Sequence, residues 1–267
     1  MIMKKVVFAL ATAVLSTAFI SCRTETDAST QQENQNSENG TTPTEEMAMA
    51  NPSETNTQQF LYVTAPSGLS LREFGNLQSE KVAKMPYGTK VRVIKAENKP
   101  TMTVAGIKGG MNEVEFNHKK GFAFNGYLSK YFPPELNITV KGYATELQQL
   151  FPEVTYTETN GGTVTNPSNT ETISLPNAQW HEAFYIAQRL FDFPKEFEFP
   201  NPNGQKSQII PDGMPKKGIW TSQLEISRNN DGLEQIVYSY GSKKFDSRVV
   251  ISRDNEVMKI SKTETIK

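Results

Sequence analysis

Residues 60–96 read FLYVTAPSGLSLREFGNLQSEKVAKMPYGTKVRVIKA, and this stretch decides the fold class. Short apolar runs are cut by turn residues, Pro66-Ser67-Gly68 and then Pro86-Tyr87-Gly88. Four strands are predicted over 60–64, 68–72, 81–85 and 90–96. In the last of these, Val91 and Val93 flank Arg92 with a period of two. The pattern continues with strands over 101–107, 111–116 and 121–124, the first two separated by Gly109-Gly110. Many short strands at this spacing predict a small all-β barrel or sandwich.

Three landmarks in the same region resemble bacterial SH3 (SH3b) domains. YVTAPSGLSLR at 62–72 is similar to the family's opening strand with its Ser-Gly-Leu-x-aliphatic-Arg pattern. KVAKMPYGTKV at 81–91 resembles the second hairpin with Gly-Thr-x-Val, and GFAFNGYLS at 121–129 resembles the last strand with its Tyr-Leu ending. Where the family usually carries Trp after the glycine, Gly110 is followed by Met111. The resemblance implies an SH3-like β-barrel over 59–134 that serves as a non-catalytic binding or adaptor module. Tyr87, Phe122, Phe124 and Tyr127 are its candidate binding surface, with barrel core as the alternative role for each.

Residues 135–267 read as an α+β domain. A short helix is predicted over 143–151, stopped by Pro152, followed by a hairpin of 154–158 and 163–165 around Asn160-Gly161-Gly162. The clearest helix begins after Asn177 as cap. Trp180, Ala183, Phe184, Ala187, Leu190 and Phe191 share one face of it, and Pro194 ends it. Residues 192–218 hold five prolines with Phe193, Phe197 and Phe199 alternating, a pattern of either a strap packed on a sheet or a binding lip. Phe197 and Phe199 therefore join the candidate surface. Strands over 220–226, 234–240, 248–252 and 257–263 complete an antiparallel meander beside one main helix.

The N-terminal residues predict the compartment. Lys4 and Lys5 precede an apolar run over 6–20, which as a helix spans only about 22 Å and is too short to cross a bilayer. Ser21-Cys22 after this run resembles the lipobox of bacterial lipoproteins, with Phe19 and Ile20 departing from its tight form. The resemblance implies cleavage of a 1–21 signal peptide and acylation of Cys22, as by palmitate. The protein would then be lipid-anchored in the bacterial cell envelope, on the periplasmic or outer-membrane face. Residues 22–58 lack aromatic residues and carry Glu25, Asp27, Glu33, Glu38, Glu45, Glu46 and Glu54 against Arg23, the composition of a disordered tether.

Chemistry is sparse by comparison. The formal net charge of -1 gives no footprint for nucleic acid, and a lone Cys excludes an intramolecular disulfide. His118 and His181 fall in different predicted modules, so no metal site and no cofactor are expected, and His181-Glu182 reads as a surface pair. Phosphate-binding, dinucleotide and serine-hydrolase motifs are absent from the sequence. The leading expectation is a non-enzymatic envelope lipoprotein that engages peptidoglycan peptide or an envelope protein. The alternatives are an adaptor acting through residues 135–267 and a hydrolase with an unrecognised carboxylate pair.

Overall fold

The computed structural model describes residues 59–267; the expected signal peptide, Cys22 and the expected tether over 22–58 lie outside the described residues. Strand makes up 50% of the structure and helix 11%, so the protein is mainly β with antiparallel sheets. Residues Thr55–Lys267 form one compact unit with a continuous apolar core, the piece used in the experiments below.

The first half contains β1 (Gln59–Val63), β2 (Leu69–Arg72), β3 (Lys81–Met85), β4 (Lys90–Lys95), β5 (Met102–Val104), β6 (Ile107–Gly109), β7 (Met111–Phe116), β8 (Lys119–Phe124) and β9 (Leu128–Ser129). The one strand expected over 101–107 is instead the hairpin β5–β6. Ala105 and Gly106 take φ of 47° and 78°, as a two-residue turn with both φ positive requires. A similar turn at Asn117 and His118 starts β8 two residues earlier than the sequence suggests, and assigns His118 a turn position. Seven strands pair in the order β3-β2-β8-β7-β4-β1-β9. A single 3-10 turn over Asn125–Tyr127 leads into β9, which returns to pair with β1. The sheet is open, and no sheet closes into the barrel that the sequence suggests.

The second half holds α1 (Val140–Gln148), β10 (Thr155–Gly162), β11 (Pro167–Pro176), α2 (Trp180–Leu190), β12 (Ser207–Pro211), β13 (Ile219–Asn229), β14 (Gly232–Ser242), β15 (Phe245–Asp254) and β16 (Val257–Ile266). Its sheet runs β10-β11-β16-β15-β14-β13-β12, with the predicted four-strand meander at its centre. Alternation in β11 and β16 sends Ile173, Leu175, Met258 and Ile260 to the core. On the opposite face Thr170 meets Thr263 and Thr172 meets Ser261 in hydroxyl pairs 2.9 and 2.8 Å apart. Two local expectations are corrected. The first hairpin turns at 163–166, because Asn160 to Gly162 continue to pair with β11. Asn177 sits at φ 60° in the turn before the helix, and the N-cap of α2 is Gln179, whose N–H is accepted by the Glu182 carboxylate at 2.6 Å.

Aromatic rings tie the halves together. Tyr131 is fully buried, packs edge-on against Phe151 at 4.9 Å and donates its hydroxyl to the Pro176 carbonyl at 2.7 Å. Tyr143 of α1, also fully buried, donates to the Phe132 carbonyl at 2.7 Å, and Phe132 stacks edge-on with both Tyr62 and Tyr143. Phe184 packs edge-on against Phe193 and Phe199 beneath the strap. Within the first half, β2 crosses β8 so closely that a methyl group on Gly121 would lie 2.5 Å from the Arg72 carbonyl oxygen. Gly121→Ala should therefore lower stability by about 1–3 kcal/mol, read as a shift in the chemical-denaturation midpoint. An unshifted midpoint would mean that β2 does not cross there.

Candidate functional site

Helix α2 has two working faces. Ala183, Phe184, Ile186 and Ala187 are buried, and the helix packs on β15 and β16. The flank with His181, Tyr185 and Gln188, at i, i+4 and i+7, faces the first half and the strap. The His181 imidazole lies beside the Gly126 backbone and edge-on to Phe199 at 5.9 Å. Burial pushes this imidazole down to about 4, the Gly126 contact opposing it. Glu182 is only 7% exposed, against the expectation of a surface pair. Burial raises its carboxyl, while the Ser129 hydroxyl, the Gln179 N–H and the Lys130 ammonium hold it down. Its role is to close the helix start against β9. Beyond it, the Arg189 guanidinium covers the Tyr87 ring at 5.6 Å, and desolvation lifts the Tyr87 phenol to about 12.

Between this flank and the first sheet lies a cleft of about 420 Å³. One wall is the β1–β2 loop from Ala65 to Ser70 with Arg72 and Leu77, joined by Val104 and Ala105 of the β5–β6 hairpin. The other wall is Tyr185 and Gln188 with the strap segment from Lys195 to Phe199, and Phe124 and Tyr127 line the space between. The strap is fixed because the Gln188 amide donates to the Pro194 and Phe197 carbonyls at 3.1 and 2.9 Å. The hairpin is positioned by close approach: a methyl on Gly106 would sit 3.3 Å from Pro202. Desolvation raises the phenols of Tyr127 and Tyr185, so both remain protonated donors at neutral pH. Exposed Lys195 and Glu198 provide one charge of each sign at the mouth. Aromatic lining with a few converging donors and opposite charges suits a small zwitterionic or peptide-like ligand.

Four of the six aromatic candidates, Phe124, Tyr127, Phe197 and Phe199, line this cleft. Phe197 and Phe199 are 4% and 7% exposed, so the segment is a packed strap that offers ring edges to the cleft. Tyr87 lies outside the cleft against Arg189, and Phe122 contacts the Gly75 turn. Cys22 is outside the described residues. Sequence reasoning missed Tyr185, Gln188, Arg72, Lys195 and Glu198. The 181, 185, 188 spacing on α2 was the signal for the first two, whereas the others are joined only by tertiary folding. Among the described residues, no group of three His, Cys, Asp or Glu side chains is placed to share a metal ion.

No protein-family model matches the chain, and neither a curated protein nor a solved structure matches it.

The His181 position yields a pH prediction. Its folded value of about 4 lies below the ordinary 6.5, so the unfolded chain takes up the proton first as pH falls. Stability present above pH 6.5 is lost between 6.5 and 4, by about 3 kcal/mol from this group alone. The raised Glu182 carboxyl works in the opposite sense, so the comparison is made with a single change at 181. His181→Gln should flatten the acid side of the melting-temperature profile; parallel profiles for the two proteins would rule out a buried neutral imidazole.

Proposed function

We propose that this protein is a non-catalytic, lipid-anchored lipoprotein of the bacterial cell envelope that binds a cell-wall peptide in the cleft between its two halves. Cys22 carries the lipid, residues 22–58 are the tether, residues 59–134 form an SH3b-like module and residues 135–267 an α+β domain. The observation that carries the binding assignment is the joint lining: Phe124 and Tyr127 from the first half meet Tyr185, Phe197 and Phe199 from the second around one cleft. The SH3b-like reading is supported by strand order. β1 opens the module and pairs with β9, which ends it, while β4, β7 and β8 form the meander between.

The chemistry of the lining favours a peptide. Wall peptides carry free carboxylates, amines and small apolar side chains. Arg72 and Lys195 can pair with a carboxylate, Glu198 with an amine, and the aromatic lining takes the aliphatic groups. The Tyr127 hydroxyl, which accepts from Tyr185, can donate to a peptide carbonyl. Nothing in this binding mode requires a nucleophile.

The test is co-sedimentation of the Thr55–Lys267 unit with purified sacculi, with soluble wall peptides as competitors. Ser67 is exposed on the cleft wall, so Ser67→Trp fills the space without disturbing the core. Pelleting should be competed by the peptides and fall at least about tenfold in Ser67→Trp, with an unchanged melting temperature. Pelleting that survives the blocked cleft would refute this site. Absence of pelleting by the parent protein would refute the wall ligand and direct attention to an envelope protein.

A further inference from the structure

The end of the second sheet where β13 starts, β14 ends, β15 starts and β16 ends has the wrong composition for an ordinary solvated rim. Trp220 is 59% exposed, Met214 76% and Ile266 53%, and Val164 in the β10–β11 turn is fully exposed. Hydrogen bonds, one of them from the Asn166 side chain, gather these tips. The Lys267 N–H donates to the Lys244 carbonyl at 3.0 Å, the Asn166 amide to the Ile266 carbonyl at 3.2 Å, and the Ile219 N–H to the Lys216 carbonyl at 3.1 Å. Trp220 lies over Gly241, and the Lys267 ammonium sits 4.6 Å from the centre of its indole ring.

The rim carries an excess of positive charge. Lys216, Lys217, Lys243, Lys244 and Lys267 face Asp212 and Asp246. Both acids are engaged within the protein, Asp246 by Lys267 at 2.6 Å and Asp212 by the Ser222 hydroxyl at 2.8 Å. Among the described residues, Lys216, Lys217, Lys243 and Lys244 make no ion pair, and all four are exposed.

We infer that this rim docks on an anionic lipid bilayer. The apolar tips come from the ends of β13 and β16 and from two separate turns, and lysines are interleaved with them, unlike the dry centre of a protein interface. A bilayer accepts that arrangement: an indole settles at headgroup depth, short aliphatic tips enter between headgroups, and lysine stems lie alongside with ammonium groups on the phosphates. The residues are separate from those of the peptide cleft, and the inference holds whether or not that cleft binds wall peptide.

The test uses the Thr55–Lys267 unit, which contains neither Cys22 nor the signal segment, so no acyl chain contributes. Trp180→Phe leaves Trp220 as the only indole. Vesicles of phosphatidylcholine alone are compared with vesicles containing one-third phosphatidylglycerol. Co-sedimentation and a blue shift of Trp220 emission are expected with the anionic vesicles only, weakening at high salt. Neutralising Lys243 and Lys244 to Gln should weaken partition about fivefold per lysine with unchanged melting. No pelleting with anionic vesicles, equal pelleting with both kinds, or pelleting that the lysine changes leave intact would overturn the proposal. Capture of an acidic protein in place of the anionic vesicles would overturn it as well.

Discussion

Two-sided burial of α2 is the constraint on which the rest of the structure depends. An amphipathic helix normally covers one sheet and leaves its other flank to water. Here the apolar stripe around Phe184 and Ala187 serves the second sheet, while Glu182 is buried, and His181 and Tyr185 half-buried, against the turn and strand that end the first. Enclosing a carboxylate and an imidazole costs free energy unless each finds a partner. The Gln179 N–H closes Glu182 into the helix's own capping box, and the Ser129 hydroxyl and the Gly126 backbone are the partners that relate the helix to β9 and the turn before it. A junction specified by polar groups sets an orientation that apolar packing alone would leave loose.

The cleft follows from that junction. With the helix pinned at its N-terminal turn, Tyr185 and Gln188 project one and two turns further along, and the Gln188 amide ties down the proline-rich strap. The β1–β2 loop forms the facing wall. Each half supplies one side, so the geometry of the site is a property of the junction as much as of either sheet. At the far end of the second sheet, the lysine-rich rim owes nothing to this arrangement and depends only on the register of β13 to β16.

Much of the strand pattern was legible because the turns announce themselves. Pro66 to Gly68, Pro86 to Gly88, and the Asn230-Asp231 and Asn255 turns mark breaks that local chemistry alone enforces. The meander of β13 to β16 is legible for the same reason, with β13, β14 and β15 longer at both ends and β16 longer at its C-terminal end. Three features escaped. The 101–107 run was split by a positive φ at Ala105, a residue type that gives no warning of it. The Asn160 to Gly162 turn signal was overridden by cross-strand pairing with 167–169. His181-Glu182 looked like a surface pair because its covering groups come from residues 126–130, more than fifty positions away. The first sheet stays open where the family resemblance suggests a closed barrel, because closure rests on long-range pairing that local periodicity does not carry.

Joined through α2, the two halves should unfold as one cooperative unit, and scanning calorimetry of Thr55–Lys267 measures this. One unfolding transition is expected, with calorimetric and van't Hoff enthalpies that agree. Two resolved transitions, one surviving in a fragment of residues 59–134 alone, would contradict it, because the cleft walls would then belong to independent domains.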